Sequence, residues 1–258
     1  DYIPDFIDRK QGRKPVEYDI PCMEKYLKDT YGITVYQEQV MLLSRQLADF
    51  TRGESDTLRK AMGKKLIEKL NHMYPKFIEG GKKNGHDPKV LEKIWADWKK
   101  FASYAFNKSH ATCYSWVAYQ TAYLKYYYPV EFMAALMTSV IDNPREVAEY
   151  IYTCRQMGIK VLAPDINEGE GRFSATKDGI RYGLYAIKRI GRSVVDAIIA
   201  ERNQNGPYRT LQNFIERVAD SEVNKRTVEN LIKSGACDTL DGNRQQMMMV
   251  YNALMDQQ

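Results

Sequence analysis

The sequence predicts a mainly α protein: a multi-helix domain, a short β-hairpin, and then a small helix-hairpin-helix unit. Three observations predict it. From Ile20 to about Met157 the apolar residues recur with helical spacing, and Pro88, Pro129 and Pro144 stand where helices begin or end. At Gly158 the texture changes to turn residues and short β-prone runs. After about Arg192 the helical spacing returns.

Taken in order, "YQEQVMLLSRQLADF" places Val40, Leu43, Leu47 and Phe50 on one helical face. The link "TRGES" follows, with Ser55 as the candidate N-cap of "DTLRKAMGKK". Leu66 to Asn84 reads as a helix stopped near Gly85. Pro88 opens the next, which runs from Val90 to Tyr104. Another runs from about Ser109 to Pro129, followed by Val130 to Ile141 and Pro144 to Met157. "TKDG" between "RFSA" and "IRYGL" reads as a hairpin turn, and the domain boundary is expected near residue 162. Arg192–Asn203, Thr210–Val218, Lys225–Ser234 and Asn243–Met255 complete the helices.

At 258 residues the chain is long enough to bury a core without covalent staples. Its 38 Lys+Arg against 33 Asp+Glu give a net charge of +5, a mild pointer to polyanions. The four cysteines, Cys22, Cys113, Cys154 and Cys237, form no C-x-x-C, and there are three histidines. This argues against a zinc site and a disulfide framework, and reads the cysteines as small buried hydrophobes in a reducing cytosol. The most apolar stretch, Val130 to Ile141, is too short to span a bilayer. The chain opens on Asp with no signal peptide, as a piece of a longer protein would.

Two segments concentrate the chemistry. Arg59, Lys60, Lys64 and Lys65 crowd one helix and its C-terminal end, with Lys60 and Lys64 on one face at i, i+4. A bound polyphosphate relieves that repulsion. A solvated basic face that complements the helix dipole is the alternative. Asn107, Lys108, Ser109 and His110 stand where a long helix begins, and helix N-termini hold anions. Tyr104 and Phe106 are placed to stack on a base. The alternative is a plain N-cap at Asn107 or Ser109. The helix that follows is apolar almost all round, with Tyr114, Val117, Ala118 and Thr121 on one side and Trp116, Tyr119, Tyr123 and Tyr127 on another. It is predicted to be mostly buried, its tyrosines serving core or interface. Glu38, in the first turn of its helix, reads as structural.

"AIKRIGRSVVDAIIAER" has the shape of a helix-hairpin-helix: a short helix, a hairpin at Ile190-Gly191, and a second helix. Hairpin N–H groups ahead of a helix make a nest for a DNA phosphate. Arg189 stands where the usual pattern has its first glycine, which crowds the nest but offers a cation. Metal-assisted phosphoryl transfer needs carboxylates that converge on Mg²⁺. No D-x-D at a strand end, no Walker A motif and no Ser/His/Asp set is visible, so no complete catalytic apparatus is read here, and neither catalytic nor metal-binding residues are assigned.

"YGITVYQEQVM", "DTLRKAMGKK", "FNKSHATCYSWVAYQTAYLKYYYPVEFMAALM" and "GLYAIKRIGRSVVDAII" occur in this order and at these gaps. Together with the opening "IPDFIDRKQGRKPVEY" they resemble the alpha subunit of bacterial DNA polymerase III, the C-family replicative polymerase, over essentially the whole chain. The resemblance implies a fingers domain at 1–162. It implies a β-hairpin linker and helix-hairpin-helix region at 163–258, where the clamp-binding domain starts. The palm with its metal-binding aspartates would lie upstream, and the clamp-binding peptide and OB domain downstream. It implies that Arg59 and Lys60, with Lys64 beside them, meet the phosphates of an incoming dNTP; family members often have Arg-Arg where this chain has Arg59-Lys60. Tyr104, Phe106, Asn107, Lys108, Ser109 and His110 would line the nucleotide side, and Lys65, Arg189, Gly191 and Arg192 would meet DNA. The implied function is that of the fingers fragment of a DNA-directed DNA polymerase, binding dNTP and primer-template in the cytoplasm. The fragment would be inactive alone, without a cofactor of its own, and Mg²⁺ would act in the full-length enzyme. Other replisome subunits and the sliding clamp would bind beyond this chain, and no membrane would be involved. A stand-alone helix-hairpin-helix DNA-binding module and a helical replisome scaffold are the alternatives.

Overall fold

A helical hairpin organises the first part of the computed structural model, which describes residues 2–102, 105–219 and 222–257. Its arms are α3 (Gln37–Ala48) and α4 (Arg52–Gly63). Val40, Leu43 and Leu47 of α3 are buried against Leu58, Ala61 and Met62 of α4, as the spacing predicts. Earlier lie α1 (Ile3–Lys10) and α2 (Glu24–Leu27); α5 (Ile67–Lys83) and α6 (Pro88–Phe101) follow the hairpin. The expected cap is corrected at α4. Thr51, not Ser55, is the N-cap: its hydroxyl accepts from Glu54 N at 3.2 Å and Glu54 Oε2 accepts from Thr51 N at 2.8 Å. Ser55 lies inside the helix, buried, with its hydroxyl donating to Arg52 O.

Aromatic rings fill the centre of this core. Phe77 of α5 lies 5.1 Å from Trp95 and 5.0 Å from Trp98 of α6, and edge-on to Phe50. Two glycines let α5 come this close. A Cβ on Gly80 would stand 2.3 Å from Ala48 O, and one on Gly81 would stand 2.4 Å from Leu91 Cδ1. α7 (Lys108–Tyr127) leaves this unit, which ends at Ala118; a second compact unit begins at Tyr119.

In the second unit α8 (Pro129–Ser139) and α9 (Pro144–Gln156) precede a small sheet of β1 (Val161–Leu162), β2 (Ser174–Thr176) and β3 (Gly179–Arg181). The strand order is β1-β3-β2. β1 runs parallel to β3 with Val161 beside Ile180, and β2 runs antiparallel with Thr176 beside Gly179. The "TKDG" turn joins β2 to β3 as the sequence predicts. Met133 and Met137 of α8 and Val147 of α9 share a cluster with Phe173 and Ile180, so α8 and α9 pack with the hairpin that follows them. A second cluster joins α10 (Arg192–Asn205), α11 (Leu211–Val218), α12 (Lys225–Ser234) and α13 (Arg244–Asp256) around Ile198, Phe214, Val228 and Leu231. The Arg202 guanidinium, buried beside it, donates to Ile166 O and Gly169 O and so ties α10 to the preceding turn.

Two expectations about burial are corrected. No described residue of α7 is buried; Trp116 is 61% and Tyr126 78% exposed. An apolar surface all round a helix records what water would cost it, but not whether this chain supplies a cover. Cys154 and Cys237 are buried, whereas Cys22 and Cys113 are exposed. Cys113 shares the exposure of α7, and Cys22 lies in a 3-10 turn that turns Met23 inward instead.

Candidate nucleotide and DNA interface

The end of α4 and the segment that leads into α7 both border the first turn of α3. α4 runs back along α3, so its last turn returns to the start of α3. There a Cβ on Gly63 would lie 3.3 Å from Gln37 Nε2. The segment before α7 reaches the same place: Tyr36 bridges Phe106, and Gln37 N donates to Phe106 O at 2.8 Å. Thus the end of α4, with Gly63 and Lys64, and the start of α7, with Lys108, both border the α3 N-terminus.

Asp56 divides its carboxylate between two cations of α4. Oδ1 accepts from Arg59 Nε at 3.0 Å and Nη2 at 2.8 Å, and Oδ2 lies 2.7 Å from Lys60 Nζ. The Lys60 ammonium first, and then the Arg59 guanidinium, hold the Asp56 carboxyl below its usual range. Of the expected Lys60–Lys64 pair, Lys60 turns its ammonium to Asp56, and Lys64 is the C-cap of the helix. Lys65 closes the helix in the left-handed region at φ 55°, its N–H bonding Met62 O while Leu66 N bonds Ala61 O. Glycine usually takes that place.

The start of α7 is tied from two sides. Asn107 is the N-cap, its Oδ1 accepting from His110 N at 3.0 Å. Glu38 of α3 accepts from Lys108 N at 2.9 and 3.1 Å and from Ser109 N at 3.5 Å. The free N–H groups expected to hold a ligand anion are therefore met by a carboxylate of the same chain. Glu38 is structural, as expected, but it serves the neighbouring helix rather than its own. The Lys108 ammonium lies 5.5 Å from the Tyr36 ring centroid, and the His110 ring lies 4.6 Å from that of Tyr114. Phe106 is exposed, and Tyr104 lies outside the described residues.

The hairpin of the second unit departs from expectation in its first helix, which is a single 3-10 turn, Leu184–Ala186. The N–H groups of Leu184 and Tyr185 donate to Glu170 O and Gly171 O, so they are spent outside any helix. Arg189 lies in the left-handed region at φ 65°, and Gly191, with φ −68°, is the N-cap of α10. The backbone conformation that favours glycine is therefore at Arg189 itself. Arg192 donates to both oxygens of Asp142, at 2.9 and 3.1 Å, and its guanidinium lies 5.3 Å from the Tyr185 ring centroid.

The partners that sequence reasoning missed are carboxylates: Asp56, Glu38 acting across elements, and Asp142. Only the first left a signal, its spacing of three and four residues from Arg59 and Lys60. Among the described residues no group of three or more His, Cys, Asp or Glu is placed to hold a metal ion, and no helix is long and apolar enough to cross a membrane.

Residues 1–85 match the model of the bacterial DNA polymerase III alpha subunit finger domain, and residues 158–247 match that of a helix-hairpin-helix motif. A DNA polymerase III subunit alpha from Chlamydia trachomatis is 46% identical over 99% of this chain and 21% of its own length. The chain belongs to the bacterial DNA polymerase III alpha subunit family. Members from Borreliella burgdorferi and Thermus aquaticus, 46% and 42% identical, each match 99% of it. The chain spans about a fifth of the length of the polymerase III alpha subunits it matches. The finger match takes in α1 through α5, and so the basic cluster of α4; the helix-hairpin-helix match runs from β1 into α13.

Proposed function

We propose that this chain is the part of a replicative DNA polymerase that receives the incoming dNTP and steadies it over primer-template. The observation that carries the reading is the meeting of the α4 and α7 termini at the first turn of α3. It sets the basic end of α4 and the Asn107–His110 cluster beside one helix start. Arg59, Lys60, Lys64 and Lys108 supply cations to a triphosphate, with Asn107, Ser109 and His110 as polar contacts and Phe106 and Tyr104 as faces for a base. Such transfer depends on positioning and charge stabilisation more than on covalent chemistry by the protein. The carboxylates that would hold Mg²⁺ lie in the other four fifths of such a protein, as do the surfaces for the sliding clamp and other replisome subunits. This chain alone would not extend a primer, and it would work in the cytoplasm, where the chromosome is copied.

Arg59→Glu and Lys108→Glu, each made in the full-length polymerase, test the nucleotide site. Each lost charge-assisted contact costs roughly 1.5–3 kcal/mol, which raises the dNTP KM roughly tenfold to a hundredfold. An unchanged KM in both variants rejects the assignment. A second reading is favoured by the helix-hairpin-helix match at residues 158–247. In it Arg189, Gly191 and Arg192 contact duplex phosphates, so charge reversal at Arg189 should weaken binding and flatten its salt dependence.

A further inference from the structure

Resting on the nucleotide site just proposed, Asp56 gains a role that its helix does not require of it. The N-terminus of α4 is already satisfied by Thr51 and Glu54, so Asp56 is not needed as a cap. Among the described residues its two oxygens accept from Arg59 and Lys60 alone. The carboxylate thus spends one oxygen on each of the adjacent cations that the site offers to phosphate. Its side chain and that of Arg59 are both partly exposed, at 37% and 30%, so the pair can exchange partners with solution. The cluster of Asp56, Arg59 and Lys60 carries a net charge of +1 instead of the +2 of its cations. We propose that Asp56 is an internal counter-ion which an incoming polyphosphate displaces. It moderates the grip of Arg59 and Lys60 on the triphosphate and gives both cations a partner to return to when a polyphosphate leaves.

The acid therefore weakens polyphosphate binding, and removing its charge should tighten it. Two elementary charges about 6 Å apart near water interact by a few-fold in affinity, and a polyphosphate brings more than one, so the gain is about three- to tenfold. The test uses the full-length polymerase and compares wild type, Asp56→Asn, Asp56→Glu, Arg59→Ala and the Asp56→Asn/Arg59→Ala double variant. The readouts are the dNTP KM and the inhibition constant for inorganic pyrophosphate. Asp56→Asn should lower both constants about three- to tenfold. Asp56→Glu, which keeps the charge, should leave them near wild type. Arg59→Ala should raise both, and the double variant should forfeit most of the gain from Asp56→Asn. If Arg59→Ala raises both constants while Asp56→Asn leaves them unchanged or raises them, the counter-ion role is overturned and the nucleotide site stands. If Arg59→Ala changes neither, the nucleotide site on α4 falls, and the role of Asp56 falls with it. Tryptophan fluorescence melts establish that each variant is folded.

Discussion

Gln39 holds the base of the proposed nucleotide site together, and its removal should be costly. It is buried in the first turn of α3 and uses its whole amide. Oε1 accepts from Val35 N and Tyr36 N, both at 2.9 Å, while Nε2 donates to Tyr26 O at 3.1 Å and Thr30 Oγ1 at 2.8 Å. Gln39→Met keeps the shape and deletes every one of these bonds. Thr30 keeps its own bond to Ile33 O at 2.6 Å, so the main loss is the acceptor of the two backbone N–H groups. Orphaning each costs about 1–3 kcal/mol, and both are only partly shielded from water, so the sum is roughly 2–4 kcal/mol. For a unit of this size that lowers Tm by about 10 °C. All three tryptophans, Trp95, Trp98 and Trp116, precede Tyr119, so fluorescence-detected urea unfolding reads the first unit separately from the second. A change below about 0.5 kcal/mol would show that the amide is not what fixes residues 35 and 36.

The helix-hairpin-helix unit gives a prediction of opposite signs. Arg189→Gly removes a side chain from a left-handed position, and should stabilise the second unit by about 0.5–1 kcal/mol while weakening duplex binding and reducing its salt slope by about one. A loss of stability contradicts the strain reading, and unchanged binding contradicts the phosphate contact. Asp238 predicts a pH effect. Its hydrogen bonds to Arg244, at 2.5 and 2.7 Å, hold the folded carboxyl below its usual range. That contribution is fully present above the unfolded pKa of about 3.9 and is lost as pH falls through the lower folded value. Asp238→Asn should thus be less stable than wild type at pH 6 and converge with it below about pH 4 in urea melts; a constant gap across that range refutes the pairing.

Most helices were legible because their signals are local. Val40, Leu43 and Leu47 carry the period, Pro88 follows the capping Asp87, and Pro129 and Pro144 open α8 and α9. The hairpin turn was legible for the same reason. Ser55 misled because it has the right chemistry for a cap, yet Thr51 four residues earlier has both the chemistry and a Glu three positions on. The short helix expected before Ile190 is one turn long: its first N–H groups bond the distant carbonyls Glu170 O and Gly171 O, and the backbone is already extended at Ile187. No local pattern records those contacts.

The site divides along the same line. Its cations were legible as clusters in sequence, but their carboxylate partners were legible only at helical spacing. Asp56 stands one turn from Arg59 and Lys60, whereas Glu38 and Lys108 are 70 residues apart and meet only through the fold. The same gap explains α7. Its rings report the cost of exposure and cannot say what lies opposite them, and no described residue of it is buried. The aromatic helix was expected to be buried, yet the anchors of the polar cluster at its start come from α3 and the residues before it. The Phe106 backbone bonds to Val35 and Gln37, and the Lys108 and Ser109 N–H groups bond to Glu38. Position at the start of α7 is thus set by α3 and the residues before it, whatever covers the tyrosines.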